Sequence, residues 1–214
     1  MARTCLAAAM LLGAFLQQGG AATIFSNVNG GNAPNTGMGI ALGSNSSVAF
    51  SFTVPASQNY SFAGIDIDLE STMPGSSADV SLMADSGGLP GAVLESFLIA
   101  NLPPFGTNIQ PLESAASVLS PHLLGGTQYW VAVILPNDAG SYWIPNVTGN
   151  NGPEALQISG SGWMLNIDST AEGAFRINGQ QLATPEAATG SLLALGLVAL
   201  GVLQFSPSRI RTSH

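Results

Sequence analysis

Apolar and polar residues alternate with a period of two along most of the chain between Thr23 and Ala183. Such alternation turns one strand face to a core and the other to solvent. The clearest run is Ser47 to Val54, with Val48, Phe50, Phe52 and Val54 on one face and Ser47, Ala49, Ser51 and Thr53 on the other. Pro55 ends it, since proline cannot donate to a ladder. Ile65, Ile67 and Leu69 alternate with Asp66, Asp68 and Glu70. Val80, Leu82 and Ala84 alternate with Asp79, Ser81 and Met83, and Ala92 to Ala100 reads as another strand. Thr127 to Leu135 is apolar on both faces, as in a central strand covered on both sides. Leu156 to Ile158 and Trp163, Leu165 and Ile167 predict a hairpin across Ser159–Gly162. Phe175 and Ile177 are placed inward in a last strand, with Arg176 and Asn178 outward. Clusters of Gly, Pro, Asn, Asp and Ser, such as 27–39 and 85–91, separate these runs. About ten strands result, spaced as in an all-β sandwich, and no helical period competes with them. Two packed antiparallel sheets bury half-apolar strands, so the predicted fold is an antiparallel β-sandwich, jelly-roll-like in its first reading.

The two ends break this pattern. Ala187 to Phe205 contains no Asp, Glu, Lys or Arg. At roughly 1.5 Å per residue, a helix of that length comes close to spanning a hydrocarbon core of about 30 Å. Pro185 suits its first turn, and Glu186 suits the positive end of its dipole. Arg209 and Arg211 follow as a membrane stop and predict a cytoplasmic C-terminus. At the other end, residues 1–22 read as a signal peptide. Arg3 is its positive start, Cys5 to Phe15 its apolar core, and small residues through Ala22 lead to cleavage before Thr23. The chain then divides into a signal peptide (1–22), an exported domain (23–181), a linker (182–186), a transmembrane helix (187–205) and a short basic tail (206–214).

Charge sharpens the picture. There is no lysine, and charged residues make up only 7% of the chain. From Thr23 to Ala183 one base, Arg176, stands against eleven acids, a net charge of −10. Such a surface has no electrostatic footprint for nucleic acid or anionic lipid. The only cysteine, Cys5, falls in the signal peptide, so the exported domain has neither disulfide nor thiolate ligand.

Thr184-Pro185-Glu186, a short apolar helix and a basic end resemble the C-terminal sorting signal of bacterial PEP-CTERM proteins. Ala187 stands where that family usually has a second proline. The resemblance implies an exosortase-like enzyme that cuts near Pro185-Glu186 and releases or re-anchors the exported part. The middle of the chain, over roughly residues 45–180, resembles the exported choice-of-anchor domains, type R in particular. The residues carrying it are Phe52-Thr53-Val54-Pro55, then Asp85-Ser86-Gly87-Gly88-Leu89-Pro90-Gly91. They continue with Leu124-Gly125-Gly126-Thr127-Gln128-Tyr129-Trp130, and Trp163 after a Gly-Ser hairpin. That resemblance implies a surface-exposed sandwich and transfers no catalytic residue.

Candidate chemistry is sparse. Asp66, Asp68 and Glu70 would line one strand face; with no lysine to solvate the surface, a solvent face is the first reading. A calcium site is the second, because hard cations take such oxygen ligands. Tyr142 and Trp143, in a short segment between Gly140 and Pro145, could stack on sugar rings if exposed, or pack into the core. Asp66, Asp68, Asp138, Glu154 and Asp168 could supply paired carboxylates for a glycosidase, but no spacing pairs them across a cleft. His122 reads as a turn residue, and no Gly-x-Ser-x-Gly elbow accompanies it. Asn45, Asn59 and Asn146 match the glycosylation acceptor pattern.

The expectation is a non-enzymatic bacterial surface or extracellular-matrix protein without a cofactor. It would be exported by the Sec machinery, held as a single-span inner-membrane protein, and sorted through its tail. A carbohydrate-binding or calcium-dependent adhesion module, with polysaccharide as partner, is the alternative.

Overall fold

The structure, a computed structural model, describes residues 20–28, 39–42, 46–73, 75–106, 112–134, 140–158, 161–166 and 171–182. The signal-peptide core, Thr184, Pro185, Glu186, the apolar run 187–205, Arg209 and Arg211 all lie outside the described residues. Among the described residues no helix is long and apolar enough to cross a membrane. The chain divides into two compact units, Met1–Gln181 and Leu182–His214, and every described strand lies in the first.

Fourteen strands are described. They are β1 (Ala22–Ser26), β2 (Ile40–Leu42), β3 (Ser46–Thr53), β4 (Tyr60–Ile67), β5 (Leu69–Ser71), β6 (Ser77–Asp85) and β7 (Pro90–Ala100). Then follow β8 (Glu113–Ala116), β9 (His122–Leu123), β10 (Gln128–Ile134), β11 (Ser141–Trp143), β12 (Glu154–Ile158), β13 (Met164–Asn166) and β14 (Phe175–Gln181). One sheet has the order β1-β14-β4-β8, with β9 also on the β4 edge. The second runs β13-β12-β3-β10-β6-β7, and a small third sheet runs β2-β11-β5. All the named strand pairs are antiparallel. The fold is an all-β antiparallel sandwich.

The alternation explains the core. Val48, Phe50 and Phe52 of β3 enter the main core with Val131 and Val133 of β10, Val80 and Leu82 of β6, and Phe175 and Ile177 of β14. In register, Phe50 faces Val131 and Val80 faces Val133. Rings of Phe25, Phe50, Phe52, Phe175, Tyr129 and Trp143 continue through the layer with centroids 5.0–6.2 Å apart. The other face of β10 is apolar too. Trp130 and Ala132 join Ala49, Met83 and Ala155 in a second buried cluster, flanked by Leu89 and Trp163. This is the two-sided burial expected of a central strand.

Three local readings change. The run from Ile65 to Glu70 is not one strand. β4 stops at Ile67, and the main chain of Asp68 is taken by distant segments: its N–H donates to Ala174 O, and its carbonyl accepts from Ile144 N. The chain then crosses into the third sheet as β5. Leu165 is on the exposed outer side of the β12–β13 hairpin rather than in the core. Short strands β8 and β9, which carry few apolar residues, extend the β4 edge where no strand is predicted.

Candidate functional site

The carboxylates and aromatics singled out from the sequence converge where β4 hands over to β5 and β11. They do not form the array their spacing suggests. Asp66 points outward from β4, bound by Ser114 Oγ at 2.6 Å, Asn178 Nδ2 at 2.9 Å and Arg176 Nη1 at 3.5 Å. Asp68 and Glu70 are buried instead of solvent-facing, 2% and 1% exposed. Glu70 sits opposite Tyr142 in the β5–β11 ladder and accepts from Gly106 N at 3.0 Å. Burial first, then the charges of Glu70 and Glu113, push the Asp68 carboxyl up to about 7. Burial also raises the half-buried Glu113. The expected three-carboxylate face is therefore broken. Asp66 is engaged in an ion pair, and two acids are inside. Among the described residues, no three acidic or imidazole side chains stand as a ready metal cage.

The aromatic pair is also split. Trp143 is fully buried, with its indole N–H donating to Ala174 O at 3.1 Å and its ring edge-on to Phe50. It is a core residue, so the exposed-pair reading is corrected for Trp143. Tyr142 stays half-buried, and its ring stacks on Phe105 at 4.2 Å. Phe105 was not predicted. It precedes Gly106, whose amide binds Glu70, so one short segment supplies both the stacking ring and the carboxylate's donor.

Three other acids hold loops. Asp85, at the start of the predicted turn, accepts from Trp130 Nε1 at 2.8 Å, Gln128 Nε2 at 3.0 Å and Gly88 N at 3.1 Å. The Trp130 indole chiefly holds its carboxyl below the usual range. Gly87 and Gly88, at φ 65° and 84°, give that turn the left-handed backbone it needs. Glu95 reaches from β7 to the segment after β8, taking Ser117 Oγ at 2.5 Å, Val118 N at 2.6 Å and Leu119 N at 3.0 Å. Burial works to raise the Glu95 carboxyl, but these donors outweigh it and hold it low. Glu172 is buried beside Asn27, whose Nδ2 donates to it at 3.1 Å and to Gly173 O at 2.9 Å. Sequence carries no local signal for these roles, because the partners of Glu95 and Glu172 lie far along the chain.

The remaining candidates are placed plainly. Ala22 and Thr23 lie within β1, opposite Gly179 and Asn178. His122 is exposed on β9. Glu154 is buried at the β12–β13 pair, and burial raises its carboxyl against the opposing effect of Asn166. Asp138, Asp168 and Asn45 lie outside the described residues. Asn146 is buried and donates both amide hydrogens, to Asn150 O and Glu172 O, each at 2.8 Å. A glycan on that nitrogen is incompatible with the folded loop. No protein-family model, no curated protein and no solved structure matches the chain.

The Asp85 turn yields a direct expectation. Asp85→Ala leaves the fully buried Trp130 indole N–H without its acceptor. An orphaned buried donor costs about 1–3 kcal/mol. Urea unfolding followed by tryptophan fluorescence should show a lower midpoint with an unchanged slope. An unchanged midpoint would mean that the Asp85–Trp130 bond contributes nothing.

Proposed function

We propose that this chain is a non-enzymatic, exported β-sandwich of the bacterial cell surface or extracellular matrix, sorted through its C-terminal tail. One observation carries the reading: a fold and an address adjoin. The last strand ends at Gln181, and Thr184-Pro185-Glu186, an uncharged apolar run and two arginines follow. The acids Asp85, Glu95 and Glu172 support it, because each ties its own chain together. The Sec machinery exports the precursor, and the tail holds it as a single-span inner-membrane protein with its C-terminus in the cytoplasm. An exosortase-like enzyme then acts at Pro185-Glu186. Mass spectrometry of the extracellular pool tests this. The expected mature C-terminus lies near Glu186, and abundant extracellular peptides from 187–205 would contradict processing. Deleting 184–214 should release the domain from the membrane fraction.

A second reading has a specific observation behind it. The half-buried Phe105–Tyr142 stack offers aromatic surface for a polysaccharide. Polysaccharide pull-down that weakens in both Phe105→Ala and Tyr142→Ala supports it, and undiminished binding removes both rings from the contact.

A further inference from the structure

The segment joining β8 to β9 turns its apolar residues outward. Val118 is 87% exposed and Leu119 69%, and Leu124, just past β9, is 54% exposed. The backbone of this tip is paired from within. The amides of Val118 and Leu119 donate to Glu95, that of Ser120 to Ser117 Oγ, and that of Leu124 to the Tyr129 hydroxyl. On either side of the tip, Ser117 N donates to Ala63 O and Pro121 O accepts from Phe62 N, so β4 fixes both of its feet. An apolar tip whose amides already have partners loses little on leaving water, whereas an unpaired amide would resist the transfer.

The tip stands near the place where the sandwich ends. Tyr60 of β4 pairs with Gln181 of β14 on one side and with Leu123 of β9 on the other, so Leu124 and Gln181 share one end of the sheet. Phe62, which holds Pro121, pairs with Gly179. Val118 and Leu119 therefore lie within about two residues, roughly 7 Å, of that end. Residues 182–186 alone separate Gln181 from the uncharged run 187–205. Fully extended, they span about 20 Å. Charge agrees with this placement. The domain is strongly acidic, yet residues 114–137 contain no Asp, Glu, Lys or Arg, so the tip meets a headgroup layer without repulsion of its own. We propose that Val118, Leu119 and Leu124 rest in the headgroup–acyl boundary of the phospholipid bilayer that holds the tail. The unprocessed chain then touches its membrane with one sheet edge as well as with its tail. This inference rests on the reading of 187–205 as a membrane span.

The test uses the full chain with Cys5→Ser, reconstituted into vesicles of phosphatidylethanolamine and phosphatidylglycerol. An environment-sensitive dye is attached at Leu119→Cys. The control dye is at Met164→Cys, on β13, the edge strand farthest from β7 in the other sheet. Both side chains are more than half exposed, so neither label displaces core. Flotation with the vesicles reports the tail independently of either dye. Emission at Leu119 should shift to the blue and be largely quenched by lipids brominated about 5–10 Å below the surface. Emission at Met164 should do neither. A chain that floats with Leu119 unshifted and unquenched overturns the contact and leaves the tail reading standing. A chain that does not float overturns both. A blue shift without lipid quenching means that protein, such as a second copy, covers the tip, and the proposal fails. Equal quenching at Met164 overturns it too, because the tip is then not the face that meets lipid.

Discussion

Replacing Trp143 with alanine should cost this fold more than any neighbouring substitution. Trp143 is fully buried at the junction of β11 with the main core. Its ring lies 5.0 Å from Phe50 and 5.9 Å from Phe175, and its N–H is satisfied by Ala174 O. Gly173 lies so close to the indole that a Cβ there would run into the ring. Truncation removes the ring contacts, opens a cavity and takes away one of the two donors to Ala174 O, leaving it Asp68 N. Large-to-small changes of this kind cost about 3–5 kcal/mol. Typical domain stability is only about 5–15 kcal/mol, so the loss is a large part of the total. A fall in Tm of about 10 °C is expected by calorimetry. Tyr142→Ala, one residue earlier and half-buried, should cost far less. Equal losses at the two positions would refute the placement of Trp143 in the core.

The second large effect is on pH. Burial pushes the Glu172 carboxyl up from 4.5 to about 7, against the opposing donation from Asn27. The folded state therefore holds a proton that the unfolded state has released. Stability falls as pH rises wherever the native state binds more protons. The contribution is fully present below about pH 4.5 and is lost as pH climbs through about 7. At roughly 1.4 kcal/mol per pH unit, its upper bound is on the order of 3–4 kcal/mol. Wild-type protein in chelator should melt higher at pH 5 than at pH 8. Glu172→Gln should flatten that slope and raise the Tm at pH 8. A variant with the wild-type slope would show that Glu172 is ionised when buried.

Much of the sandwich was legible because period-two alternation is a local signal. Ser47 to Val54, Thr127 to Leu135 and Phe175 to Asn178 each declare their inward face from their own residues. The Asp85–Gly91 turn declares itself by composition. Asp66-x-Asp68-x-Glu70 shows the limit. Alternation says that two sets of residues point in opposite directions, but not what covers the second set. Segments at Ile144 and Ala174 claim the Asp68 backbone from more than seventy residues away. The Phe105–Tyr142 stack and the Glu95 anchor likewise join residues distant in sequence, with no motif to mark them. Trp143 illustrates the same limit from the other side. The short segment between Gly140 and Pro145 reads equally as exposed or as core from its own residues; what decides is that β2 and β5 flank it in the ladder and Phe50 meets it from the core.

The order β1-β14-β4 makes the domain a clasp whose two halves are the first and the last of the described strands. Among the described residues β1 pairs with one strand, β14, the last of those described. Asn27 fastens the join, with its side-chain carbonyl accepting from Phe175 N at 2.7 Å. A chain threaded outward from its N-terminus must wait with Ile24 and Phe25 uncovered until residues 175–181 have emerged. A transcript that stops early thus delivers a molecule with two raw sheet edges, β4 and an orphaned β1, and such edges invite aggregation. The sandwich therefore closes only once residues 175–181 have been made.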